Sequence, residues 1–195
     1  MRKFLTCIMI CSLIVSCDSG SDLPGVDEKP DESYSFLNIE YYAADSCRDS
    51  LFIDMPTITF SNNDNTTHMY PVEPFIYDET SHFVSEDSDA FLVEGLELFV
   101  PQYIDVNNEI YLGSQKWKYS RNVQSKKSKV TFSDVKVMPN SVLTMDCRLF
   151  LIKYKTDYKL YLKGDITGHI KIIEGIWTGV CCDNRIQIDF QSSDL

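Results

Sequence analysis

The chain carries none of the short signatures that mark common enzyme classes: no GxSxG elbow, no HExxH, no Walker-type glycine loop. No CxxC pair occurs, and the three histidines, His68, His82 and His169, are scattered, so a zinc centre has no framework. Basic residues are few, 18 Lys and Arg against 29 Asp and Glu, for a net charge of −11. That balance argues against nucleic acid as a partner, because its backbone is bound through Lys and Arg. Long apolar runs are lacking too: the N-terminal one holds about ten residues, where a permanent membrane helix needs roughly 20. Helical apolar periodicity of useful length is absent after residue 34. Neither an enzyme activity, a cofactor nor a metal is expected.

What is present begins with MRKFLTCIMICSLIVSC, in which Arg2 and Lys3 precede the short apolar run, as in an export signal. Ile14, Val15, Ser16 and Cys17 resemble a bacterial lipobox, which implies cleavage before Cys17 and lipid attachment to its thiol. Ordinary secretion with cleavage at a nearby small residue is the alternative. DSGSDLPGVDEKPDES, residues 18–33, has a linker's composition. The expected organisation is a signal peptide at 1–16, a flexible acidic tether at 17–33 and one all-β domain at 34–195. Asp18 and Asp22 resemble the acidic export signal of lipoproteins displayed by some Gram-negative bacteria. The expected address is therefore the outer membrane, held through the N-terminal lipid, with surface display and the inner leaflet both open.

Of seven cysteines, Cys7 and Cys11 leave with the signal and Cys17 takes the lipid. Cys47, Cys147, Cys181 and Cys182 remain, an even set in an oxidising compartment, and are candidate disulfide partners. Neighbours on a strand point to opposite faces, so Cys181 and Cys182 are not expected to bond each other.

β-Branched and aromatic residues recur in alternating runs. Leu143, Met145, Cys147, Leu149 and Leu151 take every second place in one strand, with Thr144, Asp146 and Arg148 opposite, which predicts a buried Cys147. Tyr158, Leu160 and Leu162, and Ile186, Ile188 and Phe190, mark two further half-buried strands. The apolar phase changes between Phe132 and Val135, which predicts a bulge at Ser133 and Asp134. SNNDNTT, residues 61–67, reads as an Asn/Asp turn, with a calcium loop as the weaker alternative.

The one basic run is KWKYSRNVQSKKSK, residues 116–129. It is either a solvated strand and loop or a contact for anionic lipid or lipopolysaccharide. Lys116, Trp117, Lys118, Tyr119, Lys126 and Lys127 are the candidate ligand or membrane contacts, with a glycan, lipid or protein as ligand; the oligomeric state is not set by the sequence. Trp117 has the opposite parity to its charged neighbours, so a core-facing ring is the competing reading, and Trp177 carries the same two readings.

The pieces ITFSNNDNTT, PFIYDET, LELFVP, VKVMPNSVLTMDC, YKLYLKGDITG and GIWTGV, in this order across residues 58–180, resemble the epsilon-toxin and mosquitocidal-toxin branch of the aerolysin-like β-pore-forming proteins. Val137, Met138, Pro139 and Asn140 take the family's corner, and Gly164 and Gly168 its turn. The resemblance implies elongated antiparallel sheets of long twisted strands, an aerolysin-like pore-module scaffold, with a compact β-sandwich as the alternative fold. In active members a hairpin refolds into a transmembrane barrel; by the order of segments it lies at residues 78–95. That stretch alternates poorly and carries Asp78, Glu79, Glu86, Asp87, Asp89 and Glu94, so it is expected to remain solvated over a sheet edge. The expected function is a lipid-anchored binding or membrane-interaction role. The alternatives are a surface-delivered pore-forming toxin, inserting residues 78–99, and an accessory β-sandwich lipoprotein of an outer-membrane complex.

Replacing Cys17 with Ser is expected to abolish metabolic palmitate labelling and leave a soluble or uncleaved chain. Continued labelling would remove the lipobox assignment.

Overall fold

The computed structural model describes residues 32–195, apart from the side chains at 44–47 and 184. The signal peptide, Cys17 and nearly all of the tether lie outside the described residues. Ten strands follow in chain order: β1 (Tyr34–Asp54), β2 (Ile58–Asn62), β3 (His68–Tyr70), β4 (Phe75–Val84), β5 (Glu97–Ile104), β6 (Ile110–Lys118), β7 (Gln124–Val130), β8 (Val135–Val137), β9 (Ser141–Gly164) and β10 (Ile170–Asp194). A 3₁₀ turn at Ala90–Val93 is the one helical element among them.

Three strands set the scale. β1, β9 and β10 hold 21, 24 and 25 residues; at about 3.3 Å per residue they run ~70–80 Å. They lie antiparallel in the order β1-β9-β10-β4-β7, and β2 pairs with β9 beyond the point where β1 ends. β3 with β8, and β5 with β6, form separate two-stranded ladders. Strands of this length do not build a compact β-sandwich, whose strands are commonly 5 or 6 residues.

β9 explains how one sheet carries cores on both faces. From Met145 to Leu151 its odd-numbered residues are buried; from Ile152 to Leu162 the even-numbered ones are. Leu151 and Ile152 are both buried, and the phase changes between them. At this level β1 is bulged between Ala43 and Arg48, and β10 between Cys182 and Ile186. Extra residues on both neighbours increase the local twist. The odd face packs Met145 with Phe60, Val72, Val135 and Val137 at one end, and Leu149 and Leu151 with Tyr77 in the middle. The even face packs Tyr154, Tyr158, Leu160 and Leu162 at the other end.

The alternation at Leu143–Leu151 is therefore found as expected, with Cys147 buried, but the run at Tyr158–Leu162 belongs to the same strand rather than to another. Ile188 and Phe190 depart from the half-buried reading, at 38% and 51% exposed. β4 pairs with β10 only from Ile176 to Val180, so the second half of β10 has a neighbour on one side alone. No bulge forms at Ser133 and Asp134, because the chain leaves the sheet after Val130 and begins β8 at Val135.

The turns use the residues their geometry requires. Asn62 is buried, and its amide donates to the carbonyls of Thr66, Val137 and Met138 at 2.8, 3.1 and 2.9 Å, while its oxygen accepts from the Asp64 N–H. One side chain thus ties the β2–β3 turn to the β8–β9 corner. In that corner Asn140 adopts φ 50°, a left-handed conformation that Asn tolerates better than most residues.

Leu149→Asp is expected to cost several kcal/mol, comparable with the stability of a whole domain, because the new carboxylate has no partner on a buried face. Arg148→Ala removes an exposed pair with Asp54 and should move the urea midpoint little. Coincident midpoints would contradict the facing of β9.

Candidate functional site

The β5–β6 hairpin lies over the sheet's even face, and its position follows from the tip outward. In the turn DVNNE, residues 105–109, the Asp105 carboxylate accepts the backbone N–H groups of Asn107 and Glu109, each at 2.8 Å, and Asn108 takes φ 64°. The register passes from Ile104 opposite Ile110 to Leu98 opposite Trp117, with irregularities on both sides of Pro101. Proline has no N–H to give a ladder, and a bulge is where a strand accommodates it.

Leu98, Val100, Ile104 and Trp117 face inward with Tyr119, against Phe83, Tyr154, Tyr158, Leu160, Ile173 and Trp177. Phe83 meets Tyr119 at 4.9 Å and Tyr158 edge-on at 5.4 Å between ring centroids, and Phe91 stacks on Tyr119 at 5.3 Å. Two glycines make room for these rings. A Cβ on Gly179 would sit 2.3 Å from the Trp177 ring, and one on Gly175 would sit 2.7 Å from the Tyr158 hydroxyl and 2.2 Å from the Val84 carbonyl.

Few polar bonds join hairpin and sheet. The Tyr41 hydroxyl donates to the Phe99 carbonyl at 3.0 Å, and the Cys181 thiol to the Gln102 carbonyl at 3.2 Å. Lys126 donates to the Lys116 carbonyl and lies 4.6 Å from the Trp117 ring centroid. Burial, and then neighbouring Tyr158, pushes the Tyr41 hydroxyl up; burial first, with Glu79 next, pushes the Cys181 thiol up to about 12. Both groups therefore keep their protons at neutral pH and remain donors.

The hairpin's charges are placed unevenly. Glu97, Lys116 and Lys118 stand at its base, Asp105 and Glu109 at its tip, and residues 98–104 and 110–115 hold none. It also connects two strands that already pair with each other, since Thr80 and Ser81 of β4 face Ser125 and Gln124 of β7.

The aromatic candidates fall on the inner side of this layer. Trp117 is 5% exposed and Tyr119 0%, so neither ring is available to a ligand at the surface, as the opposite parity of Lys116 and Lys118 requires. Trp177 is buried as well, its indole N–H donating to Ser81 at 2.8 Å. Lys116, Lys118 and Lys127 are exposed; Lys127 pairs with Asp78 on the neighbouring strand at 2.6 Å. The basic run is split between β6 and β7, which residues 119–123 connect and which belong to different sheets.

Residues 78–95 are not a hairpin, and only their second half, which bonds Lys171 and Glu174 of β10 beyond the end of β4, lies along a sheet edge. Asp78 to Val84 are most of β4, a strand with a partner on each side. Residues 85–96 form a strap held by Lys171 to Asp89, Arg121 to Glu94 at 3.6 Å, the Ser85 hydroxyl to the Glu174 carbonyl at 2.6 Å and the Phe91 ring. The parity of β4 is visible only over a few residues, with Ser81 and Phe83 inward, which is too short a run to identify a two-sided strand from sequence.

Cys147 and Cys181 are unbridged thiols. Cys147 stands opposite Ile188, and Cys182 opposite Leu151, four places along β9. That is about 13 Å, beyond the Cα separation a disulfide spans. Cys181 points to the hairpin and Cys182 to the Tyr77 cluster on the other face; the Cys47 side chain lies outside the described residues. Among the described residues no group of three or more His, Cys, Asp or Glu side chains is placed to hold a metal ion.

No protein-family model and no curated protein matches the sequence. Solved structures do match. A lamprey immune protein shares 12% identity over 83% of this chain and 53% of its own, with a TM-score of 0.52. The chain thus spans about half the length of the lamprey protein. The parasporin-2 toxin of Bacillus thuringiensis, described as recognising cancer cells, shares 15% identity over 83% and 75%, with a TM-score of 0.44. An aerolysin-like protein of Bombina maxima shares 12% over 84% and 99%, with a TM-score of 0.38. The fold is an all-β scaffold of long antiparallel strands, similar to that of the lamprey protein.

Removing the two side-chain donors, by Tyr41→Phe with Cys181→Ala, takes away two exposed bonds to hairpin carbonyls, at about 0.5–1.5 kcal/mol each. Hydrogen exchange is expected to quicken in β5 and β6 while the β9–β10 ladder stays protected. Equal acceleration in both would mean that the hairpin opens only with the whole sheet.

Proposed function

We propose that this is a lipid-tethered, non-enzymatic β-pore-forming protein of the outer membrane, with β5–β6 as its inserting element. The observation that carries the reading is the hairpin's charge-free middle, folded onto the sheet between two strands that are already neighbours. Once released, it extends the β4–β7 ladder without changing the order of any strand. A membrane strand needs about 9–11 residues and an outward apolar band near 25 Å. β5 and β6 hold 8 and 9 residues, and their charges at base and tip fall toward the two interfaces, where they cost least.

A single hairpin in lipid has unpaired edges, so the inserted state must be a closed barrel of several copies. The expectation of a binding role without insertion rested on the carboxylates of residues 78–95, and these lie on β4 and the strap instead. The lipid tether is supported by the Cys17 motif and places the protein at a membrane before it inserts.

The test is dye release from phospholipid vesicles by the mature chain, beside a Gln102→Cys variant. The Cys181 thiol lies 3.2 Å from the Gln102 carbonyl, and the variant is used once mass spectrometry has verified the bridge from the new thiol to Cys181. The oxidised variant is expected to be silent and to regain wild-type release on reduction. Release by the oxidised variant would show that the hairpin is not the inserting element, and silence of the wild type would leave a tethered binding scaffold.

A further inference from the structure

The end of the sheet opposite β3 and β8 consists of the β9–β10 turn and the start of β1. Its turn closes through the Gly168 N–H to the Gly164 carbonyl at 2.8 Å, and Gly168 takes φ 70°. Ile166 in the turn is 62% exposed, and Ile170 and Ile172 at the start of β10 are 53% and 49% exposed. Leu37, in the irregularity of β1 between Phe36 and Asn38, is also exposed, on the other side of β9. The cause is topological: β4 ends at Val84 opposite Ile176, so no strand flanks β10 at Ile170 and Ile172 on that side. Three β-branched side chains at one tip form an apolar surface without a cover among the described residues.

We propose that this end is a docking surface for a phospholipid bilayer. Three observations choose a bilayer over a second copy of the chain. First, the described chain enters here. The Ser33 and Ser35 hydroxyls donate to the Asp165 carboxylate at 2.7 and 2.6 Å, and the Asp165 N–H donates to the Ser33 carbonyl at 3.0 Å. Ser33, near the start of the described residues, is thus held at the turn that carries Ile166. Second, Lys163, His169 and Lys171 outnumber the single carboxylate Asp165 between Leu162 and Ile172, in a chain of net charge −11. Lys171 is held by Asp89, and Glu86, Asp87 and Glu174 line the same hollow as Ile172, so Lys163 is the cation the tip leaves exposed to an anionic headgroup layer. Third, β4 runs toward this end, so a hairpin extended past Val84 and Gln124 advances in the same direction. The first point rests on the lipid tether of the proposed function and the third on its insertion reading.

Aliphatic side chains at a turn, with cations beside them, suit the headgroup boundary: the isoleucines enter the acyl region while Lys163 stays at headgroup level. Such a contact fixes which end of the molecule meets the membrane before any strand refolds.

The experiment uses the full acylated chain with Ile166→Trp or Met69→Trp, the latter exposed on β3 at the far end. Each is bound to phosphatidylethanolamine and phosphatidylglycerol vesicles with brominated acyl chains. The native Trp117 and Trp177 are buried, and the unsubstituted chain supplies their background. Emission from Ile166→Trp is expected to shift to the blue and lose at least half its intensity, that from Met69→Trp to stay unchanged. Adding Ile170→Asp and Ile172→Asp should remove most of the quenching. Equal quenching at both positions, or none at either, overturns the proposal. A concentration-dependent blue shift of Ile166→Trp without lipid also overturns it, by assigning the surface to a second copy. Repeating the measurement in the oxidised Gln102→Cys variant separates docking from insertion: quenching should persist where dye release is blocked.

Discussion

The contact between the hairpin and the even face of the sheet is the interaction on which the state of the molecule depends. Above Ile152 that face presents Tyr154, Tyr158, Leu160, Ile173 and Trp177, and its cover is Leu98, Val100, Ile104 and Trp117 from the hairpin with Tyr119 and Phe83. Burying a side chain of this kind contributes about 1.5–3 kcal/mol. The four inward hairpin residues therefore contribute roughly 6–12 kcal/mol, as much as the net stability of an ordinary domain. In water the hairpin stays down. It can leave only where its apolar side chains find another apolar environment; on the proposed function the folded form is a latent one and the membrane its trigger.

The rest of the architecture allows that exchange. β1, β9 and β10 keep their ladder over their whole length, and the second and third cores lie on the opposite face, under β2, β3, β4 and β8. The face change at Leu151 and Ile152 separates the two regions, so uncovering the even face leaves the odd-face packing intact. Hydrogen bonding is arranged likewise. Its base is closed by the Tyr119 N–H donating to the Leu96 carbonyl and the Gly95 N–H to the Tyr119 carbonyl, and the hairpin is joined to the sheet by a few side-chain donors, Tyr41, Cys181 and Lys126, rather than by a ladder.

What could be read in the sequence was what alternation carries. The facing of Leu143 to Leu151 and the inward set Tyr158, Leu160 and Leu162 follow from a period of two, and the resemblance in the order of segments implied the long antiparallel strands that are found. The unity of β9 was hidden because the buried phase shifts at Leu151 and Ile152, which reads as an interruption although the backbone continues. The hairpin was hidden for a different reason. Pro101 and the irregularities beside it break the alternation of LFVPQYI, so LELFVP looks like a core strand and the acidic stretch before it looks like the mobile element. Trp117 did show its inward parity between Lys116 and Lys118. The exposure of Ile188, Phe190, Ile170 and Ile172 could not be read locally, because it depends on where β4 stops along β10.

The central claim is that the hairpin swings from the face of the sheet to extend the β4–β7 ladder. The most direct measurement is the spin-label distance between Asn107, at the hairpin tip, and Thr80 on β4, before and after vesicle binding. A tip at the end of nine-residue strands is carried from one side of the hairpin base to the other, a displacement on the order of 50–60 Å at ~3.3 Å per residue. The account expects a short distance in solution and a distance longer by several tens of ångströms on permeabilised vesicles. An unchanged distance while the vesicles leak would contradict it.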